Sequence, residues 1–308
     1  MDSHIPVLLK DTIDGLNIKK DGIYVDLTLG RGGHSSEILK RLDQGLLIGI
    51  DQDIEAIKES EIRLKQIGDN FKLFHANFTH IDEILQNNHI HHVDGILMDL
   101  GVSSPQFDNP ERGFSYRFDA PLDMRMDQSA SLTAKEVVNN YSQEQLFQIF
   151  SKYGEDRYAY QISKNIVLAR QNKPIETTFE LVEIIKRSKP IKELAKAGHP
   201  AKQIFQALRI EVNQELKVLE DTIGKALEAL RPNGGRLAII TFHSLEDRIV
   251  KNAFKAVSVI EGNRINGPLE KNVADYQLVN RKPIVASDEE LANNHRAVSA
   301  KLRIIERK

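Results

Sequence analysis

The sequence predicts an α/β protein whose parallel sheet is interrupted by an all-helical insertion. Three observations carry this reading. Short apolar strand runs alternate with helical patterns over the first hundred or so residues, the signature of a parallel sheet. From about Phe107 to about Arg209 no convincing buried strand occurs. The alternation then resumes with the run Arg236 to Phe242. The expected organisation is a core first part at 1–107, a helical insertion at 108–209 and a core second part at 210–308.

Ile5-Pro6-Val7-Leu8-Leu9 with Thr12, Ile13 and Leu16 reads as an arm leading into an amphipathic helix. Strand one is Ile23 to Leu27. It runs into Asp26-Leu27-Thr28-Leu29-Gly30-Arg31-Gly32-Gly33-His34-Ser35, a glycine turn, and a helix is expected from Glu37 to Leu42. Strand two is Leu46 to Ile50, followed by a helix from Ile54 to Gln66. Phe71 to His75 is strand three and Ile81 to Asn87 a helix; Gly95 to Met98 is strand four, ending at Asp99. Loop chemistry opens the insertion at Asn109 to Tyr116 and Pro121 to Asp127. Helical patterns follow near 133–140, 143–152, 155–171, 178–187 and 201–209. A helix near 211–230 stops at Arg231-Pro232-Asn233-Gly234-Gly235. After strand five, Leu245 to Val257 is helical, and the last strands are expected near 277–281 and 300–305.

Bulk composition narrows the function classes. The 308 residues contain no cysteine, which excludes disulfides, Cys-ligated zinc and thiol catalysis. No basic leader and no apolar run of membrane-spanning length is present, so a cytoplasmic protein without a membrane partner is expected. His89, His91 and His92 lack acidic or Cys company, so no metal is expected. The net charge of −2 gives no global pull toward nucleic acid. Basic residues nevertheless outnumber acids from Lys152 to Lys217, most densely at Lys186, Arg187, Lys189, Lys192, Lys196 and Lys202. That cluster can meet phosphates or be a solvated helical face.

In open parallel sheets, ligands bind beyond the carboxyl ends of the strands. Gly30 to Ser35, Asp51, Phe78, Asp99 to Gln106 and His243 all fall on that edge. The glycine turn can admit a nucleotide-like ligand, with helix N–H groups beyond it. A carboxylate about 20 residues further on, ending strand two, lies where a ribose diol is recognised. Asp51 and Asp53 are the candidates, and Asp51 directly follows the strand.

Longer motifs identify a family. They are Leu29 to Ser35, Asp94-Gly95-Ile96-Leu97-Met98-Asp99-Leu100-Gly101-Val102-Ser103-Ser104-Pro105-Gln106, Pro121 to Met126, Phe205 to Ile210, and Phe242-His243-Ser244-Leu245-Glu246-Asp247-Arg248. Together they closely resemble the bacterial ribosomal RNA small subunit methyltransferase H family over nearly the whole chain. The resemblance implies a class I S-adenosylmethionine-dependent methyltransferase sheet, Rossmann-like, with a helical insert. It implies methylation of N4 of a cytidine in the decoding region of 16S rRNA, with S-adenosyl-L-methionine as cofactor and the small ribosomal subunit as the setting. Carried over residue by residue, its cofactor positions are Gly32, Gly33, His34, Asp51, Phe78, Asp99 and Gln106. Near the C-terminus, where the family often reads Asn-Pro-Arg-Ala-Arg-Ser, this chain has Asn294-His295-Arg296-Ala297-Val298-Ser299.

Within that framework, Gly32 and Gly33 are expected to admit the methionine end, Asp51 to bind the ribose hydroxyls and Phe78 to pack near the adenine. Asp99, Ser103 and Ser104 are the expected acceptors for the N4–H groups. His243 can relay a proton or cap the following helix. Asp99 stands where amino-methyltransferases begin an Asp/Asn-Pro-Pro-aromatic motif, but Leu100-Gly101-Val102 follows it. The base-stacking ring is therefore sought in the insert, at Phe114 or Tyr116. Two rival readings share parts of the pattern: a nicotinamide-dependent dehydrogenase, and a non-catalytic ribosome assembly factor. Ser35 at the third glycine position counts against the first, and the intact set of pocket residues counts against the second.

Overall fold

The structure is a computed structural model that describes residues 5–101, 109–258 and 274–308. The chain divides into two compact units, Met1–Gly101 with Leu216–Lys308, and Val102–Glu215. The first unit holds a seven-stranded sheet. Its strands are β1 (Ile23–Asp26), β2 (Leu46–Asp51), β3 (Phe71–His75), β4 (Gly95–Asp99), β5 (Gly235–Thr241), β6 (Tyr276–Leu278) and β7 (Lys301–Arg307), in the order β3-β2-β1-β4-β5-β7-β6. The first five strands are parallel, and β7 runs antiparallel between β5 and β6. This is the expected class I methyltransferase sheet. Strand order reverses at β1, which pairs with β2 on one side and β4 on the other; that reversal opens a crevice beyond the strand ends.

Alternation along the strands builds a core on each face. Tyr24, Leu47 and Leu97 point to one side, where α1 (Leu9–Leu16), α2 (Gly33–Leu39) and α3 (Ile54–Lys65) bring Ile13, Leu16, Ile38, Leu39 and Leu64. Val25, Ile48, Ile96 and Met98 point to the other, where α4 (Ile81–Asn87) brings Ile81, Ile84 and Leu85. Helix α2 starts at Gly33, four residues before the expected Glu37. Gly32, at φ 71°, completes the turn, and the next residue already enters the helix.

The second unit is helical, with α5 (Ala134–Asn140), α6 (Gln143–Lys152), α7 (Ala159–Asn172), α8 (Thr178–Arg187), α9 (Ile191–Leu194) and α10 (Lys202–Asn213). Capping boxes at Thr133/Glu136, Ser142/Gln145 and Thr177/Glu180 fix three of the starts. Leu122, Met124, Val137, Phe150, Ile162, Ile166, Leu181, Ile185 and Leu208 are among its core residues. Phe114 belongs to that core at 4% exposure, so it has no face for a target base. Tyr116 stacks on His199 and meets Phe205 edge-on. Helix α7 begins later than the expected 155 because Glu155 takes φ 50° and Asp156 turns its carboxylate onto the Tyr158 amide.

The helix expected at 201–209 runs on to Asn213, and the one expected near 211–230 starts later, at Glu215. α10 ends at Asn213, Gln214 adopts φ 52°, and α11 (Glu215–Ala229) begins afresh. Asn213 causes the stop: its side-chain amide bonds the Met124 carbonyl and accepts the Met126 amide, tying the helix end to a loop. The chain then returns to the sheet through α12 (Ser244–Ser258) and α13 (Asp288–Asn293). No helix among the described residues is long and apolar enough to cross a membrane.

The structure removes one member from the basic cluster. The Lys189 ammonium is buried, 2.5 Å from Asp156 Oδ2, and also donates to the Pro200 carbonyl. It is a core ion pair and not a surface cation. Lys189→Ala strands a buried carboxylate and is expected to cost about 3–5 kcal/mol of stability, against about 0.5 kcal/mol or less for the exposed Lys192→Ala. Denaturant unfolding of the two variants checks this; similar midpoints would contradict it.

Candidate functional site

β1, β2 and β4 each end in an aspartate, and the three lie side by side at the crevice. Asp26 is 1% exposed. Its Oδ1 accepts the Thr28 amide at 3.1 Å and its Oδ2 accepts the Ser35 hydroxyl at 2.7 Å. The first bond bends the chain out of β1, and the second ties the start of α2 back to that strand. Burial pushes the Asp26 carboxyl above its ordinary range. Further bonds hold the turn: Ser60 Oγ donates to the Gly30 carbonyl at 2.7 Å, and Ser36 Oγ to the Gly32 carbonyl at 2.6 Å.

Two glycines have separate reasons to be glycine. Gly32 has positive φ, and a Cβ there would press on Ser60. A Cβ on Gly33 would collide with the Pro6 ring of the N-terminal arm. The arm is thus seated on the first turn of α2. Its other ties are the Leu8 amide to Glu290 Oε1 at 2.6 Å and Asn294 Nδ2 to the Ile5 carbonyl at 3.0 Å. Asn294, in the segment where this chain departs from the family pattern, therefore has a definite structural job.

Asp51 accepts the Gly30 amide on Oδ2 at 2.8 Å and the Asp53 amide on Oδ1 at 2.9 Å. The glycine turn and the end of β2 are joined through this one carboxylate. Each oxygen keeps a further lone pair, so the group can still accept from a diol. Burial pushes its pKa up to about 6, against the pull of the two amides. Asp53, the other acidic candidate, caps α3 by accepting the Glu55 amide.

Asp99 is held by its backbone, which donates to Thr28 Oγ1 at 2.6 Å. Its carboxyl is pushed up to about 6 by burial and, to a lesser degree, by the Glu246 charge. Asp99 Oδ2 lies 3.8 Å from His34 Nδ1, too far for a direct hydrogen bond. His34 Nε2 is 3.1 Å from the Val7 carbonyl. A carbonyl only accepts, so Nε2 carries the hydrogen and Nδ1 presents its lone pair toward Asp99. Burial holds the imidazole below its ordinary pKa, and the neutral ring is the form present near pH 7.

His243 precedes α12. Glu246 Oε2 accepts the amides of Phe242 at 2.8 Å and His243 at 3.3 Å, so the carboxylate caps the helix and the imidazole does not. The ring lies against that carboxylate, with Nε2 3.1 Å from Oε1 but not aligned to share a hydrogen bond. Gly101 passes over the Phe242 ring, where a Cβ would come within 2.9 Å. Phe78 opens a short turn after β3 and is half-buried against the core. Ser103, Ser104 and Gln106 lie outside the described residues. Of the predicted site residues, the structure thus brings Gly32, Gly33, His34, Asp51 and Asp99 into one bonded neighbourhood.

Sequence reasoning missed Asp26, Thr28, Ser60, Glu246 and the Val7 carbonyl. Asp26 had a signal: like Asp51 and Asp99, it closes an apolar strand. The others are local hydrogen-bond partners with no pattern of their own.

Asp51 and Asp99 hold protons more tightly folded than unfolded. Their contribution to stability is present below the ordinary carboxylate range and is lost as pH rises through about 6. Asp51→Asn and Asp99→Asn remove that loss. The stability of each variant relative to the parent is expected to rise between about pH 4 and about pH 6. Denaturant titrations across that range measure it, and a difference independent of pH would contradict it.

Comparison with known proteins places this architecture. The sequence profile of the MraW methylase family matches residues 1–308. The chain is 54% identical over 312 aligned positions to ribosomal RNA small subunit methyltransferase H of Mesoplasma florum, covering 100% of both chains. Among solved structures it is similar to an rRNA methylase from Streptococcus thermophilus, at 12% identity, TM-score 0.45 and 99% coverage of each chain. It is also similar to a SAM-dependent O-methyltransferase from Thermotoga maritima, at 9% identity and TM-score 0.43, covering 100% of this chain and 68% of that one. The chain belongs to the MraW methylase family.

Proposed function

We propose that this protein transfers a methyl group from S-adenosylmethionine to N4 of a cytidine in the decoding region of 16S rRNA, acting in the cytoplasm on the small ribosomal subunit. The observation that carries the reading is the full-length 54% identity to ribosomal RNA small subunit methyltransferase H. The residues of the sheet edge fit the cofactor. Asp51, anchored by two amides and keeping free lone pairs, suits the ribose hydroxyls. Gly32 and Gly33 begin a helix whose N–H groups suit a carboxylate. Phe78 suits the adenine, with the accessible part of its ring.

When bound, S-adenosylmethionine supplies an electrophilic methyl group. The chain's task is to make a poor nucleophile reactive. The N4 lone pair of cytosine is delocalised into the ring. An acceptor for N4–H localises it and fixes the amine in line for attack. Asp99 is assigned that role. Its carboxyl, near pH 6, is mostly ionised at neutral pH and basic enough to take the proton released as the N–C bond forms. His34 lies beside Asp99 as a neutral imidazole donating to the Val7 carbonyl, so it sets no positive charge against the carboxylate. Ser103, Ser104 and Gln106 complete the proposed set, with His243 at the end of β5. The cytidine must leave its stack to enter, at a cost of roughly a few kcal/mol unless already unpaired.

Incubation with methyl-labelled cofactor and undermethylated 30S subunits tests the function. N4-methylcytidine is expected on nucleoside analysis. Subunit binding with no transfer would favour an assembly factor instead, and NADH binding in place of S-adenosylmethionine would favour a dehydrogenase.

Asp51→Ala is expected to weaken cofactor binding by about 1.5–3 kcal/mol. The parent's affinity is expected to fall as pH drops below about 6, where Asp51 takes up a proton, and the variant's to stay flat. Calorimetry at several pH values decides; equal pH profiles would remove Asp51 from the site. Asp99→Asn is expected to slow single-turnover methylation by about 100-fold. A rate within a few-fold of the parent would move the proton acceptor elsewhere.

A further inference from the structure

The helical unit carries an outward surface that the proposed reaction does not use. Its first strip is Arg117-Phe118-Asp119, pinned to the start of α8. Thr178 Oγ1 donates to the Phe118 carbonyl at 2.6 Å, the Thr178 amide to the Ala120 carbonyl at 2.8 Å, and the Phe179 amide to Asp119 Oδ1 at 3.3 Å. The backbone is fixed, yet Phe118 is 49% and Phe179 43% exposed. Most exposed positions carry polar side chains, and two phenyl rings on adjoining segments make an apolar patch that a partner would cover.

Charge surrounds these rings. Phe179 and Lys186 stand seven residues apart on α8, on one helix face. His199 stacks on Tyr116 with ring centroids 4.2 Å apart and planes 13° from parallel. Arg117 directly precedes Phe118 and Lys186 shares a face of α8 with Phe179, so each cation sits on the same segment as one of the rings. Four acids lie on or beside this surface, with Glu176 and Glu180 near the start of α8 paired to Lys135 and Lys173. Asp119 is occupied by the Phe179 amide, and Glu183 pairs with Lys186 at 3.1 Å. That pair is half exposed on both sides and so is weak enough for a phosphate to displace.

Cations that meet phosphates beside rings that take bases are the elements of single-strand recognition. A duplex hides its base faces and would leave the phenyl rings unused. We propose that Arg117, Phe118, Phe179 and Lys186 form a dock for an unpaired RNA segment, with bases stacked on the rings and phosphates on the cations. The dock rests on the rRNA reading above and adds where on the helical unit the RNA is held.

The test uses the full chain and a fluorescent, unstructured RNA oligonucleotide of about ten nucleotides, within the usual span of single-strand sites. Phe118→Ala with Phe179→Ala is expected to weaken binding by about tenfold or more at an unchanged salt slope. Arg117→Gln with Lys186→Gln is expected to flatten the salt slope by about 1.4, at about 0.7 per phosphate. Thermal melting and cofactor calorimetry are expected to match the parent, because all four side chains are at the surface. No binding of the oligonucleotide by the parent, or parental affinity in both variants, overturns the dock. Weakened binding to 30S subunits with unchanged oligonucleotide affinity also overturns it, by pointing to a ribosomal protein. Methylation of 30S subunits by the parent, run alongside, decides the functional reading separately, since the oligonucleotide arm does not depend on turnover.

Discussion

A carboxylate buried at the end of a parallel strand must find donors, and Asp26 finds them in the Thr28 amide and the Ser35 hydroxyl. These two bonds bracket the glycine turn. They set where β1 stops and where α2 starts, and the rest of the sheet edge is placed from there. Thr28 also accepts the Asp99 amide, and Gly30 donates to Asp51. The ends of β1, β2 and β4 are thereby stitched together through the turn. Leaving such a carboxylate without partners in the interior would cost several kcal/mol, on the order of 1–3 or more per lost group. The turn therefore has little freedom to relax.

The same stitching sets the chemistry of the edge. Three carboxyls and one imidazole are crowded at this edge, Asp26 and His34 buried and Asp51 and Asp99 partly so, and burial moves all four toward their neutral forms. Backbone amides hold Asp26 and Asp51 partly against this, while Asp99 has a long contact to the Gly101 amide and the Glu246 charge behind it. Of the three, Asp99 is therefore the one least committed to the scaffold. The N-terminal arm contributes by fixing the tautomer of His34 through the Val7 carbonyl. Glu290 and Asn294, close to the other end of the chain, fix the arm in turn. The two termini thus bear on the same turn.

Much of this is legible in the sequence alone. Strand runs such as Leu46–Ile50 and Gly95–Met98 are continuous and apolar because both faces of the sheet are covered; the observed strands start at the same residues and run one further, through Asp51 and Asp99. Helices with a capping box, such as those starting after Thr133 and Ser142, were placed to within a residue. The failures have local causes. Helix α2 starts early because Gly33 and His34 lack helix propensity yet are packed under Pro6 and the arm. The boundary between α10 and α11 falls at Gln214 and not near 210 because Asn213 reaches a loop 87 residues earlier in the chain, which no periodicity records. Lys189 looks like its neighbouring lysines in composition and differs only in meeting Asp156. At the site, Asp51 and Asp99 were visible as strand-ending acids, whereas the role of His34 emerges only once the arm is in place.

The proposed reaction requires the sheet edge beyond β1, β2 and β4 to hold the cofactor with its ribose on Asp51 and its reacting end toward Asp99. A crystal structure of the protein with S-adenosylmethionine bound tests this most directly. Both ribose hydroxyls are expected within hydrogen-bond distance of the Asp51 carboxylate, the adenine against Phe78 and the methyl group on the Asp99 side of the crevice. A cofactor seated elsewhere, or one whose ribose leaves Asp51 bound only to Gly30 and Asp53, would contradict it.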